Sequence, residues 1–325
     1  MAQSFYTAFE DRYRGSTALV RERLAVYEPL ARAVAGPVLD LGCGRGEWLA
    51  LLRDWGLQAC GVDLEPGMVA ACLEQGLAVE SCDAVAALQR CPSASLGMVS
   101  ALHLVEHLPF PVLETVVRES LRVLRPGGFL LMETPNAENL LVGSNDFYTD
   151  PTHQKPIPAN LLRFLPEQQG FHRSEVVRLH ERLPAERLLE AGLLGVLAGI
   201  SQDYAVVALA AEDAAADCAL DAFVHGLPGV SLQQACAAYD QLHYQQLDHI
   251  GERLEGLGLA CSALQEDLQQ QREALSLHQE AMHQAWQQMH AELQAMRTSA
   301  SWRITAPLRA CAGLARRLAR RLVRR

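Results

Sequence analysis

Three glycines at alternate positions, Gly42, Gly44 and Gly46, follow a short apolar run in the string LDLGCGRGEW at residues 39–48. A phosphate-binding Walker loop needs a lysine and then a serine or threonine after its glycines, whereas Glu47 stands here. A dinucleotide fingerprint has the spacing GxGxxG, and an acid at the start of the next helix disfavours a pyrophosphate. The loop therefore indicates a cofactor that presents no phosphate to this turn.

A second string that could do chemistry is HLVEH, which contains His103, Glu106 and His107. A histidine can act as a general base toward a hydroxyl group near neutral pH. The same three residues, together with His153, could instead hold a divalent ion that acidifies the hydroxyl. A third interpretation gives Glu106 and His107 a structural role at a helix start. We adopt the metal-free interpretation, with His103, Glu106, His107 and His153 as the catalytic candidates, and keep the other two open.

The most distinctive string in the chain is NDFYTDPTHQKPIPANLLRFL at residues 145–165. Its prolines limit the freedom of the backbone, and its acids, aromatics and bases suit recognition of a hydroxyl-rich or phosphorylated acceptor. Each polar residue could instead only stabilise the loop. The candidates for binding the acceptor substrate are Tyr148, Asp150, His153 and Lys155.

These candidate residues fall within residues 36–210, where apolar runs of strand length alternate with helix-length segments. This alternation is typical of an α/β domain with a mostly parallel sheet covered on both faces. We place strands near residues 38–41, 59–62, 98–102, 129–133, 176–179 and 204–209. Residues 1–35 are expected to form an N-terminal helical cap, and residues 211–230 are expected to be a linker.

Residues 231–297 are rich in glutamine and predict an α-helical coiled coil. Apolar residues recur in steps of three and four at positions 247, 250, 254, 257, 261, 264 and 268, and one member of the repeat persists at 275, 282, 289 and 296. We expect this segment to form a homo-oligomer. The alternative is a helical hairpin that turns at the glycines of residues 251–258.

The last 25 residues, 301–325, carry eight arginines and no acid, which leaves 20 basic residues against 38 acidic ones in the rest of the chain. At 100 degrees per residue, the apolar side chains at positions 308, 311, 312, 315, 318, 319 and 322 gather on one side and the arginines from 309 to 325 on the other, so we expect a basic amphipathic helix on a membrane surface. The alternatives are a helix packed on the coiled coil and, third, a nucleic-acid arm. The acidic body would be repelled by nucleic acid, which we exclude as a substrate.

The nine cysteines are scattered and contain no CxxC pair, which disfavours a disulfide framework and a zinc site. The N-terminus has acids and no apolar core of a signal peptide, and the longest uncharged apolar run, residues 191–200, is too short to span a bilayer. We therefore expect a cytoplasmic protein that is peripheral on the inner face of the cell membrane.

Four strings occur in a characteristic order. Asp40 leads the glycines in the pattern DxGxGxG, Asp63 ends the second predicted strand 21 residues beyond Gly42, and Asp83 follows in SCDAV. LRPGGFLLMETPN at residues 124–136 completes the series. Together these strings resemble the class I S-adenosylmethionine-dependent methyltransferases.

This resemblance implies a Rossmann-like sheet of seven mostly parallel strands and S-adenosyl-L-methionine as the cofactor. Asp63 would accept hydrogen bonds from the ribose hydroxyls and Asp83 would contact the adenine amino group, although a turn residue and a helix cap are the structural alternatives. Arg14 would hold the cofactor's carboxylate. The cofactor-binding residues implied are Arg14, Asp40, Gly42, Cys43, Gly44, Gly46, Asp63, Leu64, Asp83 and Leu102.

A finer resemblance rests on residues 145–165, on FEDRYRGS at residues 9–16 and on SWRITAPLR at residues 301–309. These strings look like the methyltransferases encoded with bacterial O-antigen and related surface-polysaccharide assembly, some of which terminate the growing chain. Members that also add phosphate carry a kinase domain, which this sequence does not contain. The resemblance implies O-methylation of a sugar hydroxyl at the end of a lipid-linked polysaccharide.

Two other functions stay open. In one, the protein is a scaffold that binds the cofactor weakly or not at all and recruits glycosyltransferases to the membrane. In the other, it methylates a small lipid or quinone. The expected partners are a polysaccharide or sugar acceptor, the inner-membrane surface, further copies of the chain and glycosyltransferases.

Overall fold

The computed structural model describes residues 12–13, 15–183, 185–188, 190–227 and 229–322. The boundary between its two compact units falls between His243 and Tyr244. The predicted cofactor residue Arg14 lies outside the described residues.

Within the described residues, seven strands form one sheet: β1 (Val38–Leu41), β2 (Ala59–Asp63), β3 (Val79–Ser81), β4 (Leu96–Leu102), β5 (Leu124–Pro135), β6 (Arg173–Glu181) and β7 (Ser201–Leu209). Their spatial order is β3-β2-β1-β4-β5-β7-β6. Strand β7 runs antiparallel to β5 and β6, and the other neighbours are parallel. The predicted seven-stranded, mostly parallel sheet is confirmed. Strand β3 lacks an apolar run because it is short and mostly exposed, so no position was predicted for it.

The helices of the first unit are α1 (Thr17–Leu24), α2 (Glu28–Ala33), α3 (Glu47–Asp54), α4 (Pro66–Glu74), α5 (Ala84–Arg90), α6 (Phe110–Val123), α7 (Leu140–Ser144), α8 (Ala159–Gln169), α9 (Ala185–Leu188), α10 (Gly192–Ala198) and α11 (Ala214–Gly226). Short 3₁₀ turns occupy Ala25–Tyr27, Val105–His107 and Asp146–Thr149. The turn at Val105–His107 matters most for function, because it carries two of the candidate catalytic residues.

Side chains of the central strands alternate between two apolar layers. Leu130 and Met132 of β5 pack with α5, α6 and α8, whereas Phe129 and Leu131 pack on the opposite face with the N-terminal helices, α3 and α11. Successive residues of a strand point to opposite faces of the sheet, so a strand covered on both sides is apolar along its whole length. This explains why the apolar runs located these strands.

Residues 211–230 are not a plain linker. They contain α11, which is capped by Asp213 and buries Ala216, Leu220 and Phe223 against the core. These residues follow the i, i+4, i+7 spacing that places apolar side chains on one face of a helix. The prediction of a linker is therefore wrong for residues 214–226.

A single helix, α12 (Leu232–Thr298), spans 67 residues. It continues through Gly251, Gly256 and Gly258, because one glycine costs a helix only about 1 kcal/mol. The alternative of a hairpin at these glycines is therefore wrong. Exposed apolar side chains follow the predicted repeat at Leu247, Ile250, Leu254, Leu257, Leu264, Leu268, Leu275, Met282, Met289 and Met296. Pairing of this stripe with another chain stays a prediction.

Two helices follow, α13 (Ala300–Ile304) and α14 (Ala306–Leu322). The Arg309 guanidinium lies 3.7 Å from the centroid of the Trp302 ring, which places both side chains against the turn between these helices. Ile304 and Leu308 are strongly exposed. No helix in the described part of the chain is long and apolar enough to cross a membrane.

The burial of α11 predicts a clear effect of substitution. We expect Leu220→Ala to lower the free energy of unfolding by about 2–5 kcal/mol, because it leaves a cavity at a fully buried position. Leu73→Ala on α4 is the matched control, since Leu73 is 58% exposed and should cost much less. Chemical denaturation measures both variants. Equal, small effects would mean that residues 214–226 do not pack on the core.

Candidate active site

The glycine loop joins β1 to α3 with three left-handed backbone conformations. The φ angles are +68° at Gly42, +52° at Gly44 and +80° at Gly46, a region that favours glycine. A Cβ at Gly46 would also lie 2.5 Å from Leu77 Cδ1, whereas nothing stands within 4 Å of one at Gly44. The middle of the loop therefore borders open space, which suits close approach of a cofactor.

Asp63, at the carboxyl end of β2, fastens this loop. Its Oδ2 accepts a hydrogen bond of 2.9 Å from the Gly44 amide, and its Oδ1 accepts one of 2.8 Å from the Glu65 amide. A carboxylate has about four acceptor positions, so it keeps capacity for two ribose hydroxyls. Leu64, directly after it, is 68% exposed and offers an apolar surface beside this position.

Asp40 is buried at the end of β1. Its Oδ1 accepts a hydrogen bond of 2.7 Å from Ser100, whose own oxygen accepts one of 3.0 Å from the Trp48 indole. Burial and, less strongly, the charge of Asp63 raise the pKa of Asp40 to about 7, although the Ser100 hydrogen bond lowers it. The group is therefore half ionised near neutral pH, and a cationic cofactor would favour its charged form.

The other predicted cofactor residues also lie along this edge of the sheet or in its loops. The Cys43 thiol is buried, and its contact with Cys72 together with burial raises its pKa, so it stays a neutral packing group. Asp83 caps α5 by accepting hydrogen bonds from the amides of Val85 and Ala86 through Oδ1. Leu102 ends β4 and is half-buried. Direct contact of these residues with the cofactor stays a prediction.

His103 is held between carboxylates just after β4. Its backbone φ is +52°, its Nδ1 lies 3.2 Å from Glu106 Oε1, and its Nε2 lies 3.1 Å from Glu133 Oε1. Burial lowers the pKa of His103, but the two hydrogen bonds and the charge of Asp203 outweigh it and raise the pKa well above its usual value. Both ring nitrogens of His103 lie within hydrogen-bond distance of a carboxylate, an arrangement that disfavours His103 as a general base. Its catalytic role stays a prediction.

The network around His103 includes residues that the sequence did not single out. Tyr27 donates a hydrogen bond to Glu133, and His180 lies 2.9 Å from Asp203 through Nδ1. Burial lowers the pKa of His180, but the Asp203 hydrogen bond and the charge of Glu133 raise it overall. A buried acid at the end of the apolar strand β5, in LLMETP, was the signal that could have identified Glu133.

His107 keeps one ring nitrogen free. Its Nδ1 lies 2.9 Å from the Thr152 hydroxyl, which donates its only hydrogen to Asp150 Oδ1 at 2.6 Å. The hydroxyl must therefore accept from Nδ1, which leaves the Nε2 lone pair unused. Burial and the nearby His153 lower the pKa of His107 and outweigh the Glu106 charge, so the ring is neutral near pH 7.

His153 also has Nδ1 in a hydrogen bond, while its Nε2 lies 3.9 Å from Asp150 Oδ2. Its Nδ1 lies 2.6 Å from the backbone carbonyl of Phe147, which can only accept, so this nitrogen carries the hydrogen. The ring centroids of His107 and His153 are 4.6 Å apart. The Gln154 amide donates to the Glu106 carbonyl at 2.8 Å, which ties this loop to the turn after β4.

The structure divides the sequence-predicted metal ligands. In the described residues, one ligand atom each from Glu106, His107 and His153 lies within 4.8 Å of the others, and His103 forms a separate group with Glu133 and Asp203. Among the described residues, His103 does not join Glu106 and His107 in one such group, and a metal ion bound by these three residues stays a prediction. His153, which the sequence analysis also named as a candidate ligand, reaches this turn from a different loop.

Three other predicted acceptor residues differ in exposure. Tyr148 is 61% exposed, and the Lys155 ammonium lies 5.4 Å from the centroid of the Phe110 ring. Asp150 is buried and holds Thr152, so it positions His107 through that hydroxyl. Contact of Tyr148 and Lys155 with an acceptor stays a prediction.

The sheet order, the glycine loop and the carboxylate after β2 together define a Rossmann-like domain of the methyltransferase type. A methyltransferase-domain family (Methyltransf_23) matches residues 11–176, about half of the chain. The chain belongs to this family. S-adenosyl-L-methionine is its cofactor, and the open cradle at Gly44 with Asp63 beside it fits that molecule.

Individual relatives agree with the family. The chain is 34% identical over 152 residues to a probable S-adenosylmethionine-dependent methyltransferase of Mycolicibacterium smegmatis, covering 46% of this chain and 58% of that protein. It is 35% identical over 104 residues to a ubiquinone biosynthesis O-methyltransferase of Idiomarina loihiensis, covering 30% of this chain and 42% of that protein. The chain thus spans about half the length of these curated relatives.

A solved structure resembles a large part of this chain closely enough to support the fold. The crystal structure of a SAM-dependent methyltransferase from Archaeoglobus fulgidus superposes with a TM-score of 0.58 at 30% identity. The match covers 63% of this chain and 100% of that one. The rest of this chain therefore lies outside the match.

The raised pKa of Asp40 predicts a pH-dependent stability. Between the unfolded value of 3.8 and about 7, the native state holds a proton that the unfolded chain has lost, so stability falls as pH rises through this window. Asp40→Asn removes the titrating carboxyl group and therefore this pH-dependent loss of stability. We expect wild type to lose about 2 kcal/mol relative to D40N between pH 5.5 and 8.5, measured by denaturant unfolding without cofactor. Asp248→Asn on α12 is the control, and parallel pH profiles of wild type and D40N would contradict the assignment.

Proposed function

We propose that this protein transfers the methyl group of S-adenosyl-L-methionine to a hydroxyl oxygen, on a sugar at the end of a lipid-linked surface polysaccharide of the O-antigen type. The observation that carries the proposal is the pair of free ring nitrogens on His107 and His153, beside the polar loop at residues 145–155. A hydroxyl is a poor nucleophile at neutral pH, and such nitrogens can activate it.

The cofactor supplies an electrophilic methyl group on a sulfonium. The acceptor oxygen forms a bond to that methyl carbon, the carbon–sulfur bond breaks with its electron pair passing to sulfur, and the hydroxyl proton leaves. In this chain, Asp63 and the glycine loop would hold the nucleoside, and Asp40 offers the cationic end a carboxylate. His107 and His153 would face the acceptor at the carboxyl end of β4, which is the functional edge of a sheet of this type.

A sugar acceptor is supported by the character of the loop. Tyr148 is largely exposed, and Lys155 is the one lysine of the sequence. Aromatic rings and cations suit a hydroxyl-rich or phosphate-bearing molecule. The resemblance of residues 145–165 to surface-polysaccharide methyltransferases supports the same class of substrate.

A second candidate acceptor is a small lipid or quinone. It is favoured by the ubiquinone biosynthesis O-methyltransferase among the relatives, which matches this chain over 104 residues. Both candidates present a hydroxyl oxygen. A non-catalytic scaffold that recruits glycosyltransferases is the alternative without chemistry, and calorimetry with the cofactor separates it from both.

The acceptor can be identified with radiolabelled cofactor and two acceptor sets: polysaccharide fragments with a free non-reducing end, and dihydroxy-quinone precursors. We expect methyl transfer to the polysaccharide and a loss of kcat of at least about 100-fold in His107→Gln. His172→Gln, on the surface near Asp217, is the control. Mass spectrometry of the polysaccharide terminus in cells with and without the protein checks the product. Transfer to the quinone alone would reverse the order of the two candidates.

We further propose that α14 lies on the inner-membrane surface and that α12 joins copies of the chain. The support is the exposure of the apolar side chains of Trp302, Ile304 and Leu308 in a segment that also carries Arg303, Arg309 and Arg316. A basic helix with an apolar face binds anionic lipid through both features. At 1.5 Å per residue, α12 would be about 100 Å long, a spacer that could influence product length.

Removing residues 301–325 tests the membrane proposal. We expect the truncated protein to lose binding to vesicles that contain anionic lipid and to move to the soluble fraction of cells, while it keeps methyl transfer to a soluble oligosaccharide. Full-length protein with Arg309→Glu and Arg316→Glu, both on the exposed helix, should lose vesicle binding as well. Undiminished sedimentation of the truncated protein with vesicles would refute the proposal.

A further inference from the structure

Three potential metal ligands lie close together after β4. Glu106, His107 and His153 each place a ligand atom within 4.8 Å of the others. The hydrogen on each imidazole is already committed elsewhere, on His107 to Thr152 and on His153 to the Phe147 carbonyl. The remaining nitrogen of each ring therefore carries a lone pair. The Glu106 carboxylate also has lone pairs that its hydrogen bonds do not use.

The hydrogen bonds that fix these rings are themselves anchored. Thr152 is held by Asp150, which is buried, and the loop is tied to the Glu106 carbonyl by the Gln154 amide. A metal-bound histidine usually donates its second nitrogen to a carbonyl, a carboxylate or a hydrogen-bonded group, which sets the tautomer and the ring orientation. His153 and His107 have that arrangement in this structure.

The neighbouring cluster provides a contrast. His103 donates from both nitrogens to Glu106 and Glu133, and Asp203 receives a hydrogen bond from His180. In that cluster, each carboxylate accepts a hydrogen bond from a histidine. On the other side of Glu106, the potential ligand atoms of Glu106, His107 and His153 lie within 4.8 Å of one another, an arrangement that a cation would stabilise.

We propose that Glu106, His107 and His153 bind a divalent transition-metal cation. Two imidazole nitrogens and one carboxylate oxygen suit Zn²⁺, Mn²⁺, Co²⁺ or Fe²⁺ better than Mg²⁺, which prefers oxygen ligands. Three protein ligands leave coordination positions open for another molecule. The partly exposed rings of His107 and His153 give an ion access from solvent.

This inference rests on the proposed function and says how the two histidines activate the hydroxyl. An acceptor oxygen bound at an open coordination position would be acidified by the cation, as a metal lowers the pKa of bound water. The hydroxyl proton passes to solvent, the oxygen bonds to the methyl carbon, and the carbon–sulfur bond breaks toward sulfur. Glu106 keeps its place through His103 and Thr134, which hold its two oxygens.

The test measures metal binding in the absence of both cofactor and acceptor. Full-length protein without a histidine tag is freed of metal and titrated with Mn²⁺ by electron paramagnetic resonance, because Mn²⁺ binds weakly to the nine cysteines. We expect one saturable site per chain. A Co²⁺ titration, followed by its visible absorption spectrum, should give the same stoichiometry with nitrogen and oxygen ligands.

Variants assign the site to these residues. H107Q and H153Q should each weaken Mn²⁺ binding by about 100-fold, and Thr152→Val, which removes only the hydroxyl that orients His107, by about 10-fold. A double variant of the surface residues His172 and His225, H172Q,H225Q, is the matched control and should bind like wild type. Binding of S-adenosylhomocysteine shows that each variant is folded. If H107Q fails that check, H153Q decides, because its other nitrogen contacts only a backbone carbonyl.

Two results would overturn the proposal: no saturable binding of Mn²⁺ or Co²⁺ at millimolar concentration, or equal affinity in wild type and H153Q. Neither result bears on cofactor binding or on methyl transfer. Conversely, a protein that binds the ion through these ligands but methylates neither acceptor set would leave the metal site standing and refute the proposed function.

Discussion

Compensation of buried carboxylates at the carboxyl end of the sheet is the constraint on which the rest of the site depends. Glu106, Glu133 and Asp203 are all buried, and an uncompensated charge in such a place is very costly. His103 and His180 supply hydrogen bonds to these carboxylates, and both adopt left-handed backbone conformations that are uncommon for residues other than glycine. The strained backbone is thus tied to the ion pairs that it permits.

This constraint separates two histidines that stand four positions apart. Both ring nitrogens of His103 are hydrogen-bonded to carboxylates, so neither is free for another partner. His107 is turned toward the loop at residues 145–155 and keeps a free lone pair because Thr152 fixes its other nitrogen. Glu106 lies between them and belongs to both groups. On the cofactor side, the glycine loop is held open by the hydrogen bond from the Gly44 amide to Asp63 and by the left-handed backbone conformations of its glycines.

Features that depend on local spacing could be predicted from the sequence. The glycines and Asp63 lie on consecutive elements, and the buried strands were visible as apolar runs; β3 was missed because it is short and exposed. Helix α11 was missed although its buried residues have helical spacing and its alanines favour a helix. The separate roles of His103 and His107 could not be assigned from the sequence, because they depend on contacts with Glu133 and Asp203. These two acids come close to the site only through the pairing of β5 with β7.

The contact between Lys155 and Phe110 has a practical consequence for chemical labelling. Because the sequence contains a single lysine, amine-reactive reagents have one side chain to modify, and it lies in the loop that carries His153. A dye or a cross-linker attached through its ammonium nitrogen would report on this loop without any engineered cysteine. Because no other lysine competes for the reagent, Lys155 is a natural position for attaching a spectroscopic label.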